Sequence, residues 1–188
     1  PYLIDLNRAV VTEQVLRTHA LAARSTAARV EAFLETLRRP IESLALNPQL
    51  STEPRVALSQ ELLAGQLQTQ PLIAGISLEN ASGIEIVRAQ SRPRAEIVQA
   101  VLAAPGEEAL IPRREFGTLW LRFDVPLPES RGKLRVVAEA TPLEGVLRAE
   151  ELGREAVLVV AGAQEGVIVA SEPGVMLEAF PEDLVEGA

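Results

Sequence analysis

The sequence predicts an α+β fold, with a long kinked N-terminal helix packed on a central antiparallel sheet and a smaller C-terminal hairpin module. Three observations predict it. Apolar residues recur with the four–three spacing of a helix seam as far as Leu44. Stretches of strand length with period-two alternation fill much of residues 72–141. A strand–turn–strand pattern, "SLENASGIEIVRA" at 77–89, returns in related form as "VVAGAQEGVIVAS" at 159–171.

The helix comes first. Leu16, Ala20, Ala23, Ala27, Val30, Leu34, Leu37, Ile41 and Leu44 form an unbroken heptad seam. Continued backwards it meets Glu13, Ala9, Leu6 and Tyr2, of which only Glu13 departs from it. Helix formers dominate, and no glycine precedes Gly65. A helix running to Arg39 is about 58 Å long at 1.5 Å per residue, too long for a compact domain of this size to cover. Pro40 lacks an amide hydrogen and crowds the preceding turn, which predicts a kink. Asn47-Pro48 then ends the helix, because a residue before proline disfavours the α region. Two readings of the seam stay open. It is either a single amphipathic helix lying on its own domain, or the stalk of a parallel homodimer joined through positions 16–37 and continuing from a membrane span. A second amphipathic helix, about residues 54–68, carries Val56, Leu58, Leu62, Leu63 and Leu67.

Strands are expected at 72–78, 84–89, 118–126 and 133–141. "ENASG" joins the first two, with Asn80 and Gly83 suited to a tight turn. "RPRAEIVQAVLAAPG" reads as a linker and a short helix ended by Pro105-Gly106. In "GTLWLRFDVPLPE", Leu119, Leu121, Phe123 and Val125 share one face, while Trp120, Arg122 and Asp124 share the other. Its partner "GKLRVVAEATPL" puts Leu134, Val136, Ala138 and Ala140 on one face and Arg135, Val137 and Glu139 on the other. Helices are expected to cover the leucine face and leave the polar face free to form a pocket. "EGVLRAEELG" is a short helix leading to the second hairpin. The organisation is therefore residues 1–70, stalk and packing helices; 71–142, the sheet; and 143–188, a connecting helix with an abbreviated hairpin module.

Composition limits the function. Residues 1–70 hold 7 basic and 7 acidic side chains, 71–142 hold 9 and 9, and 143–188 hold 2 and 10, which together give the net charge of −8. Nucleic acid is not an expected partner, since binding it needs clustered positive charge. With no cysteine and a single histidine, His19, the usual zinc sets and a serine triad both fail. Gly132-Lys133 is followed by leucine, so it is no phosphate loop, and no calcium-loop pattern occurs. No cofactor and no catalysis are expected. The chain has no uncharged apolar run long enough to span a bilayer, no initiator methionine and no signal-peptide pattern. It reads as a piece whose membrane spans lie outside it.

The stretches "FLETLRRPIESLALNPQL", "LIAGISLENASGIEIVRA", "LRFDVPLPESRGKLRVVAEATPLEGVL" and "AVLVVAGAQEGVIVAS", in that order, resemble the Cache domains, the extracytoplasmic PAS-like sensor domains of bacterial receptors. The resemblance covers roughly residues 28–172. It implies a ligand-sensing, signal-transmitting domain on the periplasmic side of an inner-membrane receptor, such as a sensor histidine kinase in a two-component system. The repeated hairpin implies a double-Cache arrangement with a shortened second module: 22 residues follow Gly166, against 59 from Ile84 to Pro142. The aromatic and arginine-tryptophan signature of amino-acid-binding members is not visible here, which leaves the ligand class open. The alternative function is a non-catalytic dimerisation or protein-interaction module without a small-molecule ligand.

The candidate site is the polar sheet face: Trp120, Arg122, Asp124, Arg135 and Glu139, with Arg88 at the end of the second strand and Arg113 and Arg114 just before the third. Arginine offers a planar fork of donors that matches a carboxylate, so the partner expected is a small carboxylate or amino-acid-like molecule. Asp124 would accept from its amine or hydroxyl, and Trp120 would form an apolar wall. The alternative is a set of cross-strand ion pairs on a solvated sheet, with Trp120 covered by the loop at 104–116.

Overall fold

The computed structural model describes residues 2–51, 55–103, 110–115, 118–148, 159–162 and 166–170. The chain divides into two compact units, one of residues 33–142 and one that joins residues 1–32 to 143–188. Helix α1, Tyr2–Ala45, is 44 residues long, about 66 Å at the α-helical rise. Pro40 lies inside it, so one main-chain bond of the ladder, to the carbonyl of Thr36, cannot form. The helix stops before Pro48, where the Asn47 side chain accepts a hydrogen bond from the Gln49 amide at 3.0 Å and caps the short helix α2, Pro48–Ser51.

The heptad seam of α1 serves two environments. Within the 33–142 unit, where α1 packs against the sheet, Leu37, Ile41 and Ala45 are buried. At the other end, Leu16, Ala20, Ala23 and Ala27 are exposed, and Val30 is buried. Helix α3, Val56–Thr69, packs on the first two strands and buries Leu63 completely. Such a side chain stabilises by roughly 2 kcal/mol through the water it excludes.

The sheet has five antiparallel strands in the order β2-β1-β5-β4-β3. They are β1, Ile73–Asn80; β2, Glu85–Gln90; β3, Leu110–Glu115; β4, Thr118–Pro126; and β5, Gly132–Glu139. Four match the expected strands within two residues. The fifth, β3, corrects the sequence reading, which had a loop at 104–116. "LIPRRE" lacks clean alternation and carries Pro112, but proline is tolerated on an edge strand, and β3 pairs with β4 alone.

The first hairpin turns as expected. Gly83 has φ +75, and the Asn80 side chain accepts from the amides of Ser82 and Ile84, each at 2.9 Å. The apolar face is continuous: Ile76 pairs with Val136 and Val136 with Phe123, while Leu78 and Val125 both pair with Leu134. All of these side chains are buried.

Helix α4, Ala95–Ala103, follows a 3-10 turn at Arg92–Arg94 and packs on β1, β5 and β4. Beyond the sheet come α5, Thr141–Arg148, and a separate hairpin of β6, Val159–Gly162, and β7, Gly166–Ala170.

Candidate functional site

The register sets the polar face. Ser77 pairs with both Arg88 and Arg135, Arg135 with Asp124, Gly75 with Val137, Val137 with Arg122, and Trp120 with Glu139. All of these residues therefore point the same way, as the strand alternation requires. The expectation that this face is open needs correction, because α4 lies across part of it. Val98 and Val101 of α4 cluster with Ala74, Trp120 and Val137, all at most 2% exposed. Gly75 makes the seat. A Cβ there would stand 2.5 Å from Val98 Cγ1, so only a bare backbone lets the helix approach so closely.

The structure divides the predicted residues into three places. Trp120 and Arg122 lie in the contact with α4. The Trp120 ring has Arg94 stacked 5.6 Å from its centroid. Arg122 Nη1 donates to the carbonyls of Val101 and Leu102, each at 3.2 Å. Glu139 stands at one end of the face, where it accepts from Arg94 at 2.8 Å and from Thr141 at 3.0 Å. Asp124, Arg135 and Arg88 lie towards the other end. The side chains of Arg113 and Arg114 fall outside the described residues.

At that end the face and α4 border a cavity of about 230 Å³ that is open to solvent on one side, lined by Ser77, Glu79, Glu85, Arg88, Gln99, Leu102, Ala103 and Arg135. Two cations and two carboxylates thus share one lining. Arg135 Nη1 meets Glu79 Oε1 at 2.9 Å, and its Nε and Nη2 donate to Asp124 at 3.1 and 3.4 Å. Lys133 Nζ sits 2.5 Å from Asp124 and 3.8 Å from Glu79. Arg88 donates through Nε and Nη2 to one Glu85 oxygen, at 2.9 and 2.6 Å. Burial works to lower the Arg135 pKa, but the hydrogen bond and charge of Asp124 and the charge of Glu79 outweigh it and hold the guanidinium above its ordinary value. It stays cationic at any working pH.

Ser77 lies at the floor of this lining. It borders the cavity but is 0% exposed, so its hydroxyl, which has no hydrogen-bond partner among the described residues, lies just beneath the lining. A buried hydroxyl without a partner is costly unless something else supplies one. The cavity holds the volume of about seven or eight waters at roughly 30 Å³ each, which suits a small molecule. Its balanced charge suits a molecule bearing both signs. A lone carboxylate would have to break an existing arginine–carboxylate pair, whereas a zwitterion can insert into one and leave every charge matched.

Of the residues singled out from sequence, Arg88 and Arg135 line the cavity; Ser77, Glu79, Glu85 and Gln99 line it too and were not singled out. The signal for Ser77 and Glu79 was present: in "GISLEN", Gly75, Ser77 and Glu79 alternate with Ile76 and Leu78. Among the described residues no group of three or more His, Cys, Asp or Glu could hold a metal ion. No described helix is long and apolar enough to cross a membrane.

No protein-family model matches the sequence, and no curated protein does. Solved structures do. The ligand-binding domain of the Pseudomonas aeruginosa PAO1 amino-acid chemoreceptor PctC, in complex with GABA, superposes with a TM-score of 0.53 at 19% identity over 87% of this chain and 78% of that one. A domain assigned to the sensory box/GGDEF family from Vibrio parahaemolyticus gives 0.49 at 16% identity over 90% and 76%. The extracellular domain of vpHK1S-Z8, assigned as a histidine kinase, gives 0.46 at 15% identity over 88% and 70%. At such identities the likeness is one of fold, and the first of the three, the one above 0.5, carries it. In fold, the chain is similar to the ligand-binding domain of a bacterial chemoreceptor.

Proposed function

We propose that the chain is the extracytoplasmic sensor domain of a transmembrane receptor, and that it binds a small amino-acid-like zwitterion in the cavity on the polar sheet face. The observation that carries this reading is a cavity whose lining brings the cations Arg88 and Arg135 together with the carboxylates Glu85 and Glu79. The ligand carboxylate takes Arg88, and its ammonium takes Glu85 or Glu79. Arg135, held by Asp124, fixes the cavity's positive end. Trp120, Arg122 and Glu139 support this arrangement from outside the cavity by seating α4 and its leading turn. The fold shared with a chemoreceptor domain solved with GABA supports the sensor class and makes GABA the first probe.

In this reading the output module is a histidine kinase, and the hairpin β6–β7 begins a shortened second module as in double-Cache receptors. The exposed seam residues Leu16, Ala20, Ala23 and Ala27 pair two copies in parallel on the periplasmic side of the inner membrane. Ligand binding shifts a two-state equilibrium by its differential affinity for the states.

A second reading, a dimerisation module without a ligand, is favoured by one observation: Arg88, Asp124, Arg135 and Glu139 each already have an intramolecular partner. A thermal-shift screen of amino acids, GABA and simple monocarboxylates separates the two. A zwitterion that raises the melting temperature of the wild type but not of Arg88→Met supports the sensor. A uniformly silent panel supports the scaffold.

A further inference from the structure

Helix α4 is only nine residues long, and an isolated helix of that length is marginal in water. Docking therefore holds it, through two devices. Along its length, Val98 and Val101 are 0% and 1% exposed, with Val98 seated over Gly75. At its end, Arg122 reaches up from β4 and donates to the carbonyls of Val101 and Leu102, each at 3.2 Å. Last-turn carbonyls have no partner within the helix, and a cation suits that end of the helix dipole. The same turn delivers Gln99, Leu102 and Ala103 to the cavity wall.

We propose that α4 is the lid of the cavity and that Arg122 is its latch. With Arg122 bonded to the two carbonyls, the helix stays seated. When those bonds break, α4 lifts from the sheet while the sheet itself stays intact. Arg122 is then a positioning residue that acts on the cavity through α4 without touching what it holds. The consequence for ligand exchange rests on the cavity being a ligand site, as proposed above; the latch can be tested with no ligand present.

Trp120 is the only tryptophan in the chain and is 2% exposed beneath α4. Acrylamide quenching of its fluorescence therefore reports lid opening, and amide hydrogen exchange reports where opening occurs. In Arg122→Met, quenching should rise severalfold. Amides in the last turn of α4 should exchange roughly tenfold to a hundredfold faster, the factor expected for losing hydrogen bonds from a charged donor. Amides of β5 should keep their wild-type protection, and Arg122→Lys should fall between the two. Unchanged α4 exchange in Arg122→Met overturns the latch. Joint loss of protection in α4 and β5 overturns it too, since Arg122 would then hold the whole sheet. If Arg122→Met does not fold, Arg122→Lys decides the latch by the same criterion. Gly75→Ala, which lifts α4 through Val98 alone, decides the lid. Sheet-wide loosening or no change in Gly75→Ala refutes the lid. A wild type that no amino acid stabilises would retire the ligand reading and leave these results standing.

Discussion

Arg135→Met tests the charge ladder that lines the cavity. The substitution keeps most of the side-chain volume and removes three contacts: two bonds to Asp124, at 3.1 and 3.4 Å, and the pair with Glu79 at 2.9 Å. Lys133 remains 2.5 Å from Asp124 but only 3.8 Å from Glu79, whose side chain is 8% exposed, so Glu79 bears most of the loss. Removing one partner of a fully buried pair costs about 3–5 kcal/mol. Arg135 is 21% and Asp124 17% exposed, and the water that reaches them reduces the cost to about 2–3 kcal/mol. For the 110 residues of the 33–142 unit this lowers the melting temperature by about 10 °C. Urea unfolding followed by Trp120 fluorescence measures the effect. Glu79→Gln in the same chain should recover at least about 1 kcal/mol, because the stranded carboxylate is gone. The raised pKa of Arg135 fixes the pH behaviour. Its contribution is fully present below the unfolded arginine pKa and is lost only as pH rises through the higher folded value, so deprotonation of Arg135 contributes no pH dependence between about pH 5 and 9. A cost below about 0.5 kcal/mol, with no recovery on adding Glu79→Gln, would refute the reasoning and mark the ladder as a solvated surface pair.

Two backbone positions and one surface position give further expectations. Gly132 has φ +145, and a Cβ there would stand 2.0 Å from the Glu79 carbonyl oxygen. Gly132→Ala should therefore cost about 3 kcal/mol or more, and chemical denaturation of the purified variant checks it. Gly83, at φ +75 with nothing near its Cβ, should lose only about 1 kcal/mol on the same change, and equal costs at the two glycines would contradict the packing described. At the exposed Leu16, Leu16→Glu should convert a sedimenting dimer to monomer. A wild type that is monomeric at every concentration refutes pairing through the seam in the isolated chain.

The strands that proved legible share one physical property: one face is fully buried and the other is polar. Leu119, Leu121, Phe123 and Val125 alternate with Trp120, Arg122 and Asp124, and this alternation set both the face and the register of β4. β3 was illegible because an edge strand needs no alternation and admits Pro112. Part of the candidate site was readable for the same reason. Arg88 and Arg135 lie on the predicted face, but whether a charge meets a cavity or a helix depends on where α4 lands. That is decided by Gly75, by Val98, and by the reach of Arg122 to two carbonyls about twenty residues away in the chain. The seam of α1 reads as one stripe in sequence, yet Leu37 and Ile41 are buried while Leu16 and Ala20 are exposed. Spacing shows that a stripe is apolar; the contacts decide which part of it is covered.

The central claim is that the cavity between the polar sheet face and α4 holds a small zwitterion. Isothermal titration calorimetry of the wild-type domain with the best stabiliser from the amino-acid panel, beside the variant Ala103→Phe, tests it most directly. Ala103 lines the cavity yet is exposed, so a phenyl ring there fills the space without disturbing the buried core. The account predicts saturable binding at one site per chain in the wild type and none in the correctly folded variant. Equal binding by both proteins would place the ligand elsewhere and contradict the claim.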